Sequence, residues 1–278
     1  MKFIKTASAS GEEVSIHYQD LGKGRPVILV HGWPLDHQMW DYQSAALTDA
    51  GFRVISYDRR GFGKSDKPLD GYDYDTLADD LKAVIEELKL EDAVLAGFSM
   101  GGGEVVRYFS RHGGKGIAKA ILISSIAPYM LQTADNPDGV PQEKIDEIAA
   151  GLIADRPGFL GTFTKQFYGQ GLLNKPVSSE RLATDLNIAM QATLKSTLGC
   201  AAAFSSTDLR GEMKTINVPT LIIHGDEDQT VPIKATGEQA AQLLPEAEYI
   251  VYEGEPHGLF ITAKDRLNAD LIDFISRS

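Results

Sequence analysis

The stretch Ala96-Gly97-Phe98-Ser99-Met100-Gly101-Gly102 (AGFSMGG, residues 96–102) decides how this chain is read. It closes an apolar run, 93–98, and opens a helix-period segment, 100–112. Gly97 to Gly101 has the form G-x-S-x-G in the strand–turn–helix context that the pattern requires. The reason is steric. A serine at the apex of so sharp a turn takes strained dihedrals, and the residues two places either side must be small for strand and helix to pass. The turn lifts the Ser99 hydroxyl above the sheet at a helix N-terminus, where the Met100 N–H can face a developing oxyanion. The plain alternative is a glycine-rich turn with an incidental serine. The surroundings decide between the two.

Around this turn, short apolar runs alternate with helix-period segments. The runs are 27–31, 53–57, 93–98, 119–124, 220–224 and 248–252. The third, fourth and fifth lack polar alternation, as expected of strands covered on both faces. Between the second and third, Leu77, Leu81, Val84, Ile85 and Leu88 mark one face of a helix. Asp75 or Thr76 is expected to cap it. Later helices are expected at 232–244 and 263–276. This order implies an α/β fold, a mostly parallel sheet flanked by helices. The alternation stops near 126 and resumes near 218. Helical segments are expected near 141–154, 156–167, 179–194 and 196–205, so 127–212 reads as a helical insertion into a core of 1–126 and 213–278.

The chain has 278 residues, 43% hydrophobic, with a formal net charge of −12. That suits one domain with an insertion and a sizeable core. The negative field argues against nucleic acid and anionic membranes as partners and suits a neutral small molecule. Cys200 is the single cysteine, so no intrachain disulfide forms. The N-terminal stretch has no apolar signal-peptide region, and no apolar run reaches about 18 residues. These features together give the expectation of a cytoplasmic protein outside the membrane.

A serine hydroxyl needs a base. Of the six histidines, His257 lies in EGEPHGLF just after a strand, where an open α/β sheet builds its site. His31 and His224 each end a strand as His-Gly and read as structural residues near the site. His112 ends a helix, where a cation suits the dipole. His17, in an N-terminal strand, and His37, in a loop, have no evident partner in the sequence. For the acid, HGDEDQTVP (224–232) offers Asp226 and Asp228, and spacing does not choose between them. Ser99, an aspartate, then His257 is the chain order of an α/β-hydrolase triad.

HGWPLD, DRRGFGKSD, GFSMGGGE, HGDEDQTVP and PHG together resemble α/β-hydrolase fold enzymes. More narrowly they resemble bacterial aryl esterases and cofactor-free (non-haem, metal-free) haloperoxidases, over nearly the whole chain. The resemblance implies Ser99 as nucleophile, His257 as base and Asp228, rather than Asp226, as acid. It implies Trp33 and Met100 as backbone donors of an oxyanion hole and 127–212 as a cap over the pocket. Pro34, Ile126, Phe163, Phe167, Phe204 and Val231 then match the pocket lining.

The implied chemistry is acyl transfer from a small ester, with hydrogen peroxide able to replace water and give a peracid that oxidises halide. No cofactor or metal is implied, and the sequence contains no metal-ligand cluster or Cys-based haem motif. Trimers or hexamers are implied by resemblance alone. A lactamase or amidase would use the same parts, and a ligand receptor can keep an intact triad. Epoxide hydrolases and haloalkane dehalogenases share H-G-x-P but carry aspartate where this chain has Ser99.

GFGKSD (61–66) lacks the third glycine of a dinucleotide loop and is expected to form a turn, with Arg59 and Arg60 paired to carboxylates. In HGWP, Pro34 biases Trp33 toward extended dihedrals and permits a cis peptide at a cost of about 0.5–1 kcal/mol. The Trp33 carbonyl is expected to face the site and accept a hydrogen bond from peroxide.

Overall fold

The computed structural model describes residues 1–7 and 11–277. The chain runs β1 (Lys2–Ala7), β2 (Glu13–Gly22), β3 (Pro26–Val30), a 3-10 turn (His37–Trp40), α1 (Asp41–Asp49), β4 (Arg53–Tyr57), α2 (Tyr74–Glu87), β5 (Ala93–Phe98), α3 (Met100–His112) and β6 (Ile117–Ile123). It continues through α4 (Gln142–Phe167), α5 (Ser179–Ala189), α6 (Leu194–Ser206), β7 (Thr220–Gly225), α7 (Gly237–Leu243), β8 (Glu248–Tyr252), α8 (Leu259–Thr262) and α9 (Lys264–Ser276).

The six apolar runs are all strands of one eight-stranded sheet, in the order β1-β2-β4-β3-β5-β6-β7-β8. From β4 to β8 every pairing is parallel. The N-terminal β1 and β2 extend the sheet by antiparallel pairing on the β4 side. Successive side chains of a strand point to opposite faces. Accordingly Ile28 and Val30 of β3 join one hydrophobic cluster, with Leu77 and Leu81 of α2 and Val105 of α3. Val27 and Leu29 join the other, with Leu47 of α1 and Leu267 and Leu271 of α9. Every residue of β5 and β7 is buried, as their lack of alternation requires.

Several boundaries differ from expectation. The cap of α2 is Asp73, whose Oδ1 accepts from Thr76 N at 3.0 Å, rather than Asp75 or Thr76. The helix expected over 232–244 is only α7, because Thr236 (φ −127°, ψ −83°) leaves helical geometry before it. Helix α1 was not foreseen: it buries Gln43 and Ser44 beside Leu47, so it carries no apolar stripe. The buried Gln43 amide instead donates to Phe260 O at 2.9 Å.

Between β6 and β7 the described residues contain helices α4–α6 and isolated bridges, with no further strand. Helix α4 is two pieces joined at Asp155 (φ −155°, ψ 84°), at the break expected between 154 and 156. Pro157 is tolerated because it lies in the first turn of the second piece, where its missing N–H has no intrahelical acceptor to serve. Asp155 Oδ1 caps that piece by accepting from Gly158 N at 3.1 Å. Thr193 and Ser196 form a capping box that starts α6, so α5 ends earlier than the expected 194. No helix among the described residues is long and apolar enough to cross a membrane.

Candidate active site

At the carboxyl end of β5, Ser99 has φ 54° and ψ −120°. A non-glycine residue in such a region costs about 1–3 kcal/mol and persists only where its surroundings hold it. Here they do. Ser99 N donates to Ile123 O at 2.9 Å, and Ser99 O accepts from Gly102 N at 3.0 Å and Ile126 N at 3.2 Å. Two glycines let the chain pass: a Cβ on Gly97 would collide with the Gly101 carbonyl, and one on Gly101 would stand 2.5 Å from Val30 O. Met100 is the first residue of α3, so its N–H has no intrahelical acceptor.

Facing Ser99 is the loop after β8. His257 Nε2 lies 3.0 Å from Ser99 Oγ, and His257 Nδ1 lies 2.6 Å from Asp228 Oδ2. The other oxygen of Asp228 accepts from Thr230 N at 2.9 Å and Val231 N at 2.7 Å. Burial would push this carboxyl up, but the His257 and His224 imidazoles outweigh it and hold it well below the usual carboxylate range. Asp226, the rival left open by spacing, turns away and accepts from Gly254 N at 2.6 Å. The His257 ring is fixed by Phe167, edge-on with ring centres 4.7 Å apart, and by Phe98 at 4.9 Å. Gly258 N donates to Phe167 O at 2.8 Å, tying this loop to α4.

The HGWP segment lies beside the elbow. A Cβ on Gly32 would stand 2.6 Å from the Phe98 ring, so only glycine passes there. Leu35 N donates to Gly32 O at 3.1 Å, closing a turn around Trp33 and Pro34, and the Trp33–Pro34 peptide is cis. His31 is wholly buried, and burial together with Arg59 holds its imidazole neutral by lowering its pKa well below the ordinary value. Its Nε2 accepts from Arg59 N at 2.9 Å, and its Nδ1 donates to Gly32 O at 2.9 Å. Arg59 then donates to His31 O at 2.6 Å and Glu104 Oε1 at 2.6 Å, joining this loop to α3. The indole of Trp33 donates to Thr197 O on α6 at 3.1 Å.

Above Ser99 is a cavity of about 350 Å³. Of the residues matched to pocket lining, Ile126, Phe163, Phe204 and Val231 line it, together with Trp33 and Ser99. Pro34 and Phe167 do not. They line a separate, much smaller hollow with Leu35, Thr164 and Asp185, because the Phe167 ring is spent against His257. Met130, Val140, Ile148 and Phe159 also line the main cavity and were missed. A usable signal existed on α4, where Ile145 and Ile148, then Phe159 and Phe163, recur at helical spacing.

His17 and His37 have a partner after all. Both reach Asp58, just after β4, His17 Nδ1 at 3.0 Å and His37 Nδ1 at 2.5 Å. Asp58 also accepts from His37 N and Lys64 N, at 3.0 and 2.9 Å. Burial opposes its charge, and the two imidazoles overcome that and keep its pKa low. These three residues have metal-ligand spacing, but four protein donors already occupy both carboxylate oxygens. The segment 61–66 is a turn, closed by Gly61 N to Asp66 O at 2.8 Å, and Arg60 pairs with Asp80 at 2.6 Å. His112 pairs with Asp79 at 2.8 Å. Burial pushes the Cys200 thiol up to about 12, which leaves it unreactive.

The sequence pattern of the alpha/beta hydrolase fold matches residues 25–264. The chain belongs to the α/β-hydrolase fold family. Within that family this hydrolase is 42% identical to a non-heme chloroperoxidase of Kitasatospora aureofaciens over 266 residues, 95% of this chain and 97% of that one. It is 40% identical to a bifunctional esterase/perhydrolase of Acinetobacter calcoaceticus over 265 residues, 94% and 96% of the two chains. Its structure is similar to that of a bromoperoxidase from Bacillus anthracis, with a TM-score of 0.95, 42% identity and 99% of each chain covered.

Proposed function

We propose that this hydrolase cleaves small carboxylic esters through an acyl-enzyme on Ser99, and that hydrogen peroxide can replace water in the second step. The observation that carries the reading is the continuous chain Ser99 Oγ, His257, Asp228, at 3.0 and 2.6 Å, at the floor of an apolar-walled cavity. His257 Nε2 takes the hydroxyl proton as Ser99 attacks the ester carbonyl. Asp228 holds the ring with Nε2 facing Ser99 and stabilises the imidazolium. The oxyanion is received by the Met100 N–H and the Trp33 N–H, donors from two different segments. The imidazolium protonates the departing alcohol.

His257 then deprotonates the second nucleophile. Water gives the acid and free Ser99. Peroxide gives the peracid and free Ser99, and the peracid oxidises bromide to hypobromous acid while reverting to the carboxylic acid. The similarity to a bifunctional esterase/perhydrolase and to non-heme haloperoxidases supports the peroxide branch. Segment 127–212 acts as a cap in this reading, since α4 and α6 supply Phe163 and Phe204 to the cavity wall. The substrate is a small molecule that fits about 350 Å³.

The test is a parallel assay of p-nitrophenyl acetate hydrolysis and peroxide-dependent bromination in wild type and Ser99→Ala. Both activities vanish together in the variant. Bromination that survives there would sink the peracid route.

A further inference from the structure

The acid of the triad meets a second imidazole that the mechanism above does not use. His224, in β7, is wholly buried. Its Nε2 lies 2.9 Å from Val231 O and 3.3 Å from Asp228 Oδ2, the same oxygen that receives His257. The tautomer follows from these partners. Val231 O only accepts, so Nε2 carries the proton. Nδ1 is buried and has no hydrogen-bond partner among the described residues, so a second proton there would be buried and unpaired. The ring is therefore a neutral donor whose single N–H bonds Val231 O, with Asp228 Oδ2 3.3 Å from the same nitrogen. Gly237, at the start of α7, backs the ring: a Cβ there would stand 2.8 Å from Nδ1.

We infer that His224 is a positioning residue for the triad, a neutral donor that fixes Asp228 Oδ2 toward His257 and tempers the charge that carboxylate presents to it. This rests on the serine-hydrolase reading above and deepens it. Asp228 then accepts three N–H groups, two from backbone and one from His257, with the His224 Nε2 as a fourth and longer contact at 3.3 Å. The same His224 donor holds Val231 O, and Val231 lines the substrate cavity, so acid and cavity wall share one anchor. The titratable groups facing the Asp228–His257 pair are His224 from β7 and Ser99 from the elbow. Phe98 and Phe167 close over the His257 ring.

Withdrawing this donor has a directional consequence. An Asp228 that loses the nearby His224 N–H dipole offers more charge to His257, which favours the protonated imidazole. A protonated base is inactive, so the acid limb of activity moves to higher pH.

The experiment is the pH profile of kcat/KM for p-nitrophenyl acetate in wild type, His224→Leu and His224→Gln, with Ser99→Ala as control. His224→Leu is expected to lose about tenfold in kcat/KM, mainly through kcat, with its acid limb moved upward. His224→Gln, whose amide N–H replaces the Nε2–H, restores the wild-type limb. The low-field NMR resonance of the His257 Nδ1 proton should shift in His224→Leu and return in His224→Gln. An unmoved limb in His224→Leu, or a glutamine no better than the leucine, would overturn the assignment and leave His224 a packing residue.

Should His224→Leu fail to fold, Gly237→Ala reads the same contact by displacing the ring without removing a polar group. A limb that moves there supports the assignment, and one that stays overturns it. Activity persisting in Ser99→Ala sinks the serine mechanism itself. A dead Ser99→Ala beside an unmoved His224→Leu profile sinks only the role of His224.

Discussion

Asp228 and Asp58 are built almost alike. Each follows a parallel strand of the sheet, each is buried, and each gathers two backbone N–H groups and two histidines. Each carboxyl is held below its ordinary range by imidazoles that outweigh the burial penalty. They differ in what lies beyond the histidine. The far nitrogen of His257 meets Ser99 Oγ at 3.0 Å, whereas among the described residues no serine hydroxyl bonds the ring of His17 or His37. An aspartate–histidine pair is thus a general way of burying polar groups. In the proposed mechanism, a nucleophile held on a strained turn is what converts one into a catalytic unit.

The contrast can be broken in order of effect. Ser99→Ala should cost about 10⁶ in kcat for ester hydrolysis with the fold unchanged. Asp228→Asn should cost about 10⁴, since the amide favours the wrong imidazole tautomer. Asp58→Asn should invert this pattern. Breaking the buried cluster is expected to remove about 3 kcal/mol of stability in urea denaturation, while kcat/KM of the folded protein stays within about tenfold of wild type. A rate loss in Asp58→Asn as large as that in Asp228→Asn would erase the distinction.

The smallest effect is in pH. A carboxyl depressed by folding stabilises above its unfolded value, about 3.9, and loses that stabilisation as pH falls through the folded value. Both aspartates therefore make the melting temperature fall below about pH 4, and Asp58→Asn should make that fall shallower. On His37 burial works against the charge, but Asp58 raises its pKa overall. Its contribution is complete below about 6.5 and is lost as pH rises through the raised value. A shallow decline on that side should be present in wild type and absent in Asp58→Asn.

The Ser99–His257–Asp228 side of this comparison was legible in the sequence, and the other side was not. G-x-S-x-G and the strand boundaries around it are local features, so pattern alone locates Ser99 at a strand end. The choice of Asp228 over Asp226 needed the family resemblance, because both lie in one loop and only the fold shows which one turns toward His257. The pairing of His17, His37 and Asp58 draws on three segments joined only by sheet formation and a turn, so no spacing announces it. Phe167 matches the pocket lining by position in the family resemblance, yet it lines only the smaller hollow. Its ring is committed to His257, a contact set by how α4 enters the loop after β8. Helix α1 escaped because the side chains it buries include glutamine and serine.

The break at Asp155 has a consequence for how this fold can change. The second piece of α4 ends at Phe167, whose carbonyl and ring both grip the loop carrying His257. Moving that piece moves the base. The first piece contributes Lys144, Ile145 and Ile148 to the cavity, and among the described residues it makes no hydrogen bond with Ser99, His257 or Asp228. Sequence drift before residue 155 can remodel the cavity without touching this grip, while drift after it meets both the cavity wall, at Phe159 and Phe163, and the loop carrying His257. Part of the cavity can thus drift in sequence while the loop that carries His257 keeps its anchor.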